Sequence, residues 1–373
     1  MIAKLAGVPY CPEAAIAQAT SRSNPRQGAL EAASPSCPAA SQIGTTTAGA
    51  GAGPTPFYTS GKVYLAGPYK GAPLSFVAVV PALAGPFDLG TIVNRIAVHI
   101  DPETAQVQAK SDPLPRILFG IALDVRDIRV DINRPNFTLA GTNCNQKSVT
   151  AKVTGVSGAS SSASDRFQLG GCGALRFKPT VSLKLSGGTK RSAHPSLRAV
   201  VSYPPGSNYA NTASASVGLP HSEFLDQAHI KTICTRVQFA ADSCPKGSIY
   251  GKARAFTPLL DKPLEGPVYL RSSSNPLPDL VLSLHGQIDV AAVGRLDSHN
   301  GGIRTSFEAV PDAPITKVIV EMQGGKKGLL VNSRNICKHT NRATARLKAQ
   351  NGKSYEARPV LKDGCKKGKK PKG

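Results

Sequence analysis

The sequence predicts an all-β fold: tandem antiparallel β-sandwich-like repeats with short helical segments, stapled by disulfides. Three observations carry that expectation: a composition weighted to turns, a cysteine spacing that occurs twice, and apolar residues alternating with period two. The 373 residues include 36 Gly and 30 Pro but only 2 Met and no Trp, while 40% are apolar. That apolar share suffices for ordinary cores, and Val, Ser and Thr recurring between turn formers favour many short strands over helices.

Eight cysteines stand at Cys11, Cys37, Cys144, Cys172, Cys234, Cys244, Cys337 and Cys365. No CxxC occurs, so structural disulfides are favoured over metal ligation or reduced core thiols, and an oxidising, extracytoplasmic compartment follows. Cys144 and Cys172 lie 28 positions apart, as do Cys337 and Cys365, which places both pairs at one offset of 193. Neighbouring text agrees: Gly61-Lys62-Val63-Tyr64-Leu65 recurs as Gly266-Pro267-Val268-Tyr269-Leu270, Cys37-Pro38 as Cys244-Pro245, and Asp112-Pro113-Leu114-Pro115 is echoed by Pro311-Asp312-Ala313-Pro314. After the third cysteine of each set, Val149, Ala151 and Val153 alternate with Thr150 and Lys152, and Ala343, Ala345 and Leu347 alternate with Arg346 and Lys348. Period two means strand.

These matches predict one repeat over 1–172, a connecting β-strand segment over 173–233, a second repeat over 234–365, and a basic, disordered tail over 366–373. The simplest pairing that serves both copies and keeps each staple local joins Cys11 with Cys37, Cys144 with Cys172, Cys234 with Cys244, and Cys337 with Cys365. Within 173–233, Val181, Leu183 and Leu185 alternate with Ser182 and Lys184, Gly187-Gly188 turns the chain, and Leu197 to Tyr203 gives a second apolar run. Ser222 to Ile230 is the best short helical candidate. Met1 to Tyr10 has one lysine and no sustained apolar core, so no leader is evident, and the first repeat lacks the introduction that 173–233 gives the second. The expectation is a C-terminal fragment, or a mis-started reading frame, of a longer exported chain. No run of 18 apolar residues is present, so no membrane-spanning helix is expected.

Gly61 to Ala72 (GKVYLAGPYKGA), Leu185 to His194 (LSGGTKRSAH), Ser222 to Cys234 (SEFLDQAHIKTIC), Leu264 to Ser273 (LEGPVYLRSS), Gly302 to Pro311 (GIRTSFEAVP) and Gly324 to Asn335 (GGKKGLLVNSRN) resemble the large, uncharacterised exported repeat proteins of high-GC Gram-positive bacteria. The resemblance covers nearly the whole chain. It implies export and an envelope-associated, repetitive architecture, at the cell surface or outside the cell. That family has no established activity or functional residues to carry over.

The formal net charge is +22. Residues 1–172 hold 14 Lys and Arg against 10 Asp and Glu, whereas 173–373 hold 31 against 13. A field of that size attracts polyanions, and Lys326, Lys327, Arg334, Lys338, Arg342 and Arg346 form the candidate binding face, with an anionic cell-wall polymer or polysaccharide as its partner. The low aromatic content, 5%, leaves little to stack on bases, and no specific nucleic-acid partner is expected.

Catalytic signals are weak. No G-x-S-x-G elbow is present, and His99, His194, His221, His229, His285, His299 and His339 are scattered without H-E-x-x-H spacing, each read as an ordinary surface or turn residue. Asp124, Asp127 and Asp131 stand among Arg126 and Arg129, which compete with calcium for the carboxylates, so that run reads as a solvated strand face. Gly324-Gly325-Lys326-Lys327-Gly328 and Gly187-Gly188-Thr189-Lys190 lack Walker spacing and read as turns with basic shoulders. The sequence therefore predicts no enzyme, no catalytic residues, no metal and no cofactor. It favours an exported structural or scaffold repeat protein of the cell envelope, with an extracellular binding module for anionic or carbohydrate wall polymers as the alternative.

Overall fold

The computed structural model describes residues 2–51, 53–299 and 302–365; the expected basic tail at 366–373 lies outside them. With 47% strand and 11% helix in large curled sheets, the protein is all-β. Four disulfides join Cys11 to Cys37, Cys144 to Cys172, Cys234 to Cys244 and Cys337 to Cys365, with Cα separations of 5.2 to 5.8 Å. Closing loops of this size restricts the unfolded chain, which is worth roughly 3 kcal/mol for a bridge whose loop folds together with the main sheet. No helix among the described residues is long and apolar enough to cross a membrane.

The chain forms two compact units, one of Met1–Leu139 with Leu259–Asp261 and one of Ala140–Pro258 with Lys262–Gly373. This differs from the boundaries expected at 172 and 233. Residues 140–172 belong to the second unit, where Asp312 accepts from the backbone N–H groups of Thr142 and Asn143 and Asn351 donates to the Cys172 carbonyl. Segment 173–233 builds part of that unit's main sheet instead of connecting two repeats.

The first unit contains β1 (Ile2–Ala3), helices α1 (Glu13–Ser21) and α2 (Gly28–Ala33), then β2 (Gln42–Ala50), β3 (Phe57–Ala66), β4 (Leu74–Ala84), β5 (Phe87–Ile100), β6 (Val107–Ser111), β7 (Ile117–Leu118), β8 (Ile121–Ala122), β9 (Val125–Asp131) and β10 (Thr138–Leu139). Its main sheet runs β6-β5-β4-β3-β2-β9, and every neighbouring pair is antiparallel. Pro12 lacks an N–H and so suits the start of α1, whose alanine-rich sequence favours helix. Ile16 and Ala19, three residues apart and hence on one face, pack against Tyr64, Ala66, Val77 and Val79 beside the Cys11–Cys37 bridge. A buried ion pair, Arg22 to Glu31 at 2.6 Å, ties α1 to α2 within that disulfide loop.

The second unit contains β11 (Lys147–Thr154), β12 (Ser160–Phe167), β13 (Thr180–Ser186), β14 (Ser196–Ser202), β15 (Thr212–Gly218), β16 (Glu223–Leu225), helix α3 (Arg236–Ala240), β17 (Ile249–Phe256), β18 (Leu264–Arg271), β19 (Asp279–Leu284), β20 (Val290–His299), β21 (Gly302–Phe307), β22 (Lys317–Met322), β23 (Leu330–Asn332), β24 (Thr344–Ala349), β25 (Ser354–Ala357) and β26 (Leu361–Lys362). Twelve of these strands form one sheet in the order β25-β24-β15-β21-β20-β19-β18-β17-β22-β14-β13-β26. The sheet curls until strands near its two ends share a core: Leu183 and Leu185 of β13 pack in one cluster with Ile303 of β21, Leu330 of β23, Ile336 and Ala343. The helix expected over Ser222–Ile230 is absent. Glu223–Leu225 pairs with Leu330–Asn332 as a strand, and Asp226 caps only a single 3₁₀ turn, Gln227–His229.

The strand order of the first unit's sheet occurs again inside the larger one, where β21-β20-β19-β18-β17-β22 follows the same sequence-order pattern as β6-β5-β4-β3-β2-β9. The detail matches too. The register of β2 with β3 shifts between Gln42 and Gly44, and that of β17 with β18 between Ile249 and Gly251. The Cys11 N–H donates to the Leu65 carbonyl at 2.7 Å, and the Cys234 N–H to the Leu270 carbonyl at 2.8 Å. After each Cys-Pro, a buried serine donates back to the proline carbonyl, Ser41 to Pro38 at 2.7 Å and Ser248 to Pro245 at 2.6 Å. The glycine opening each G-x-V-Y-L motif is required, because a Cβ on Gly61 would collide with the Val79 carbonyl oxygen and one on Gly266 with that of Ser283.

Candidate functional site

Three loops of the second unit bring together residues that are distant in sequence. The first, 187–195, joins β13 to β14. The second, 219–230, follows β15, and the third, 323–338, follows β22. Their backbones interlock. The Gly325 N–H donates to the His194 carbonyl and the Asp226 N–H to the Leu329 carbonyl, both at 2.8 Å, while the Ser192 N–H reaches the Asn332 carbonyl at 2.8 Å. Asn332 is almost wholly buried, and its side-chain amide donates to the carbonyls of Gly188 and Lys190.

His194, Asp226 and His229 form the core of this cluster. The His194 Nε2 donates to Asp226 Oδ2 at 2.7 Å, and the His229 Nε2 lies 3.8 Å from the same oxygen. A carbonyl can only accept, so the 2.8 Å contact of the His229 Nδ1 with the Gly328 oxygen places a proton on Nδ1. The two imidazoles stack with centroids 4.1 Å apart and planes 17° from parallel. The His194 hydrogen bond, joined by the Ala228 N–H and the charge of His229, holds the Asp226 carboxyl below the usual carboxylate range.

The donor set is chemically able to hold a transition metal, since two imidazoles and a carboxylate place one ligand atom each within 4.8 Å of the others. A metal would require both Nε2 lone pairs to converge on a point about 2.0–2.1 Å away. Rings 17° from parallel direct those lone pairs alongside each other instead. The arrangement is a hydrogen-bonded clamp in which the Asp226 carboxylate joins the first two loops, while the His229 Nδ1–H and the Asp226 backbone N–H hold the third.

Beside the clamp in sequence, Glu223 is fully buried opposite Asn332 in the β16–β23 pair, and burial pushes its carboxyl up to about 7. Neutral at mildly acidic pH, it is a titratable group inside the loop cluster.

The six basic residues singled out in the sequence are exposed but divided among elements. Lys326 and Lys327 occupy the 3₁₀ turn Gly325–Lys327, on the loop that clasps His194 and His229. Arg334, Lys338 and Arg342 surround the Cys337 turn, where Arg334 and the Ile336 and His339 carbonyls all bond the buried Asn341. Arg346 stands on the solvent face of β24 and pairs with Glu356 at 3.1 Å. On β9, the aspartate and arginine run carries an ion pair within the one strand, Asp127 with Arg129 at 2.9 Å.

Sequence reasoning missed the clamp because its residues carry no joint signal. His194 lies 35 positions before His229, on a different loop, and only topology brings them together. The i, i+3 spacing of Asp226 and His229 is their sole local trace. His194 and His229 therefore do more than the ordinary turn roles expected of them. No protein-family model matches this chain, and no curated protein matches it.

Proposed function

We propose that this chain is a non-enzymatic, exported structural protein of the cell envelope, in which a repeated, disulfide-stapled β-unit serves as scaffold. One observation carries the reading: two stretches share a cysteine-closed helical lead, a Cys-Pro-x-x-Ser turn and six strands in the same order. Four bridges, with no free cysteine among the described residues, support an oxidising compartment. The resemblance of its segments to exported repeat proteins of high-GC Gram-positive bacteria points the same way. On this reading the His194–Asp226–His229 clamp fixes loop geometry and does not turn over substrate.

A second reading, a binding module for anionic or carbohydrate wall polymers, draws on the exposed Lys326, Lys327, Arg334, Lys338 and Arg342. One experiment separates the two. The oxidised full chain is sedimented with envelope material across a salt series. Retention that survives 1 M salt, where the Debye length falls to about 3 Å, supports the scaffold. Retention lost with salt, and lost when the five lysines and arginines named here together with Arg346 become Gln, supports polyanion binding. Failure to sediment at any salt rejects both.

A further inference from the structure

The two matching six-stranded arrays differ at their edges. In the second unit the outer strand β22 is covered by β14, and the opposite outer strand β21 by β15. In the first unit the corresponding strands β9 and β6 are the last of their sheet, and β6 is exposed along its whole length. We propose that β9 is a strand-acceptor edge whose occupant is a β-hairpin built like Thr180–Ser202 of this same sequence, supplied by another stretch of polypeptide.

The β2–β9 and β17–β22 ladders align through Gly44 and Gly251, whose added Cβ atoms would meet the Asp131 and Glu321 carbonyl oxygens respectively. That alignment sets Ile128 against Val318, Val130 against Val320 and Asp131 against Glu321. In the second unit, β14 lies antiparallel over these positions, with Val201 opposite Val318, Ala199 opposite Val320 and Arg198 opposite Glu321. Arg198 and Glu321 form an ion pair at 3.0 Å. The first unit repeats the same chemistry uncovered: Ile128 is 45% and Val130 49% exposed, and Asp131 takes no side-chain partner among the described residues. An edge strand presents unpaired N–H and C=O groups, and two exposed β-branched residues on one face add apolar area for a partner strand. The strand that fits is one with a small and a β-branched residue two apart, followed on its N-terminal side by an arginine: the pattern Arg198, Ala199, Val201.

This inference rests on the matched registers and is independent of the envelope role. The probe is a synthetic peptide of residues 178–204 added to the oxidised full chain, with a scrambled peptide as control. Hydrogen exchange at 125–131 should slow at least tenfold with the peptide and not with the control. Ile128→Lys with Val130→Lys should weaken peptide binding more than tenfold, both positions being exposed and tolerant of charge. Asp131→Lys should weaken it too, and the peptide carrying Arg198→Glu should restore it, which no structural disturbance would do. Three results overturn the proposal: no protection at 125–131, protection that falls on 317–322 because the peptide has displaced β14, or concentration-dependent protection of 125–131 without peptide, which would make a second copy of the chain the occupant.

Discussion

The hairpin β11–β12 and the hairpin β24–β25 are closed by disulfides of identical span, Cys144–Cys172 and Cys337–Cys365, 28 residues each, and both carry apolar residues at alternate positions of the first strand. Their environments are opposite. Ala345 and Leu347 of β24, with Ala343 just before it, are at most 1% exposed, because β24 joins β15 on one side and its inner face packs in the curled sheet. Val149 and Val153 of β11 are 58% and 67% exposed, and β11–β12 is a two-stranded sheet on its own. The difference teaches that alternation and a staple are enough to specify a hairpin, whereas burial comes from the neighbour that the rest of the chain supplies. An isolated two-stranded ribbon is marginal in water, so the first hairpin depends on its bridge more than the second does.

The largest effect expected from breaking this contrast is at Leu347. Its truncation in Leu347→Ala removes a fully buried side chain and should cost about 2–5 kcal/mol in chemical denaturation of the oxidised chain. A loss below 1 kcal/mol would mean that β24 is no better packed than β11.

A second contrast lies in the segments ahead of the first cysteine of each pair. Residues 5–10 hold no carboxylate, whereas the segment before Cys234 buries Glu223. Its carboxyl is raised from 4.5 to about 7 by burial. Between those values the native state retains a proton that the unfolded chain has released, so stability is full below about 4.5 and declines as pH rises toward 7. The decline should amount to up to about 3 kcal/mol. Glu223→Gln should flatten that slope in denaturation measured from pH 4 to 8. An unchanged slope would assign the pH dependence to another group.

Asp226 shifts the other way. Hydrogen-bonded to His194, its carboxyl ionises below the ordinary value, so its contribution is present above pH 4 and lost as pH falls through the lowered value. Asp226→Asn should cost about 1.5–3 kcal/mol at neutral pH, the range for a hydrogen bond to a charged group. It should also speed hydrogen exchange in loops 187–195 and 323–328 while leaving β11–β12 unaffected. Faster exchange in the hairpin as well would show that the clamp governs more than its own loops.

These outcomes mark where the sequence was legible. The G-x-V-Y-L strands, the hairpins and the alternating β13 could be read because side-chain period two and turn residues are local properties. The Cys-Pro-x-x-Ser turn was readable in part, since its cysteine and proline repeat, while the returning bond from Ser41 or Ser248 needs three dimensions. The alanine-rich α1 carried a helix signal at Pro12-Glu13 that the strand pattern overshadowed. Ser222–Ile230 looked helical because Glu, Leu, Gln and Ala favour helix, but pairing of Glu223–Leu225 with β23 overrides that weak preference. The clamp and the division of the chain at 139 were illegible for one reason: both depend on which distant strands become neighbours.

The smallest effect sharpens the hairpin comparison most. Val149→Ala and Val153→Ala remove apolar atoms that already face solvent on a ribbon with no second layer, so neither should change stability by more than about 0.5 kcal/mol. The paired change Cys144→Ser with Cys172→Ser tests the same point from the other side. Loss of the bridge should leave the main unfolding transition in place, because β11–β12 adds no strand to the twelve-stranded sheet. Exchange across 147–167 should meanwhile rise toward the unprotected rate, as a ribbon without a staple opens locally. In Cys337→Ser with Cys365→Ser, by contrast, β24 should stay protected by its ladder to β15. If the valine variants lose more than about 1.5 kcal/mol, or if β11–β12 stays protected without its disulfide, then another surface covers that hairpin and the contrast between the two hairpins fails.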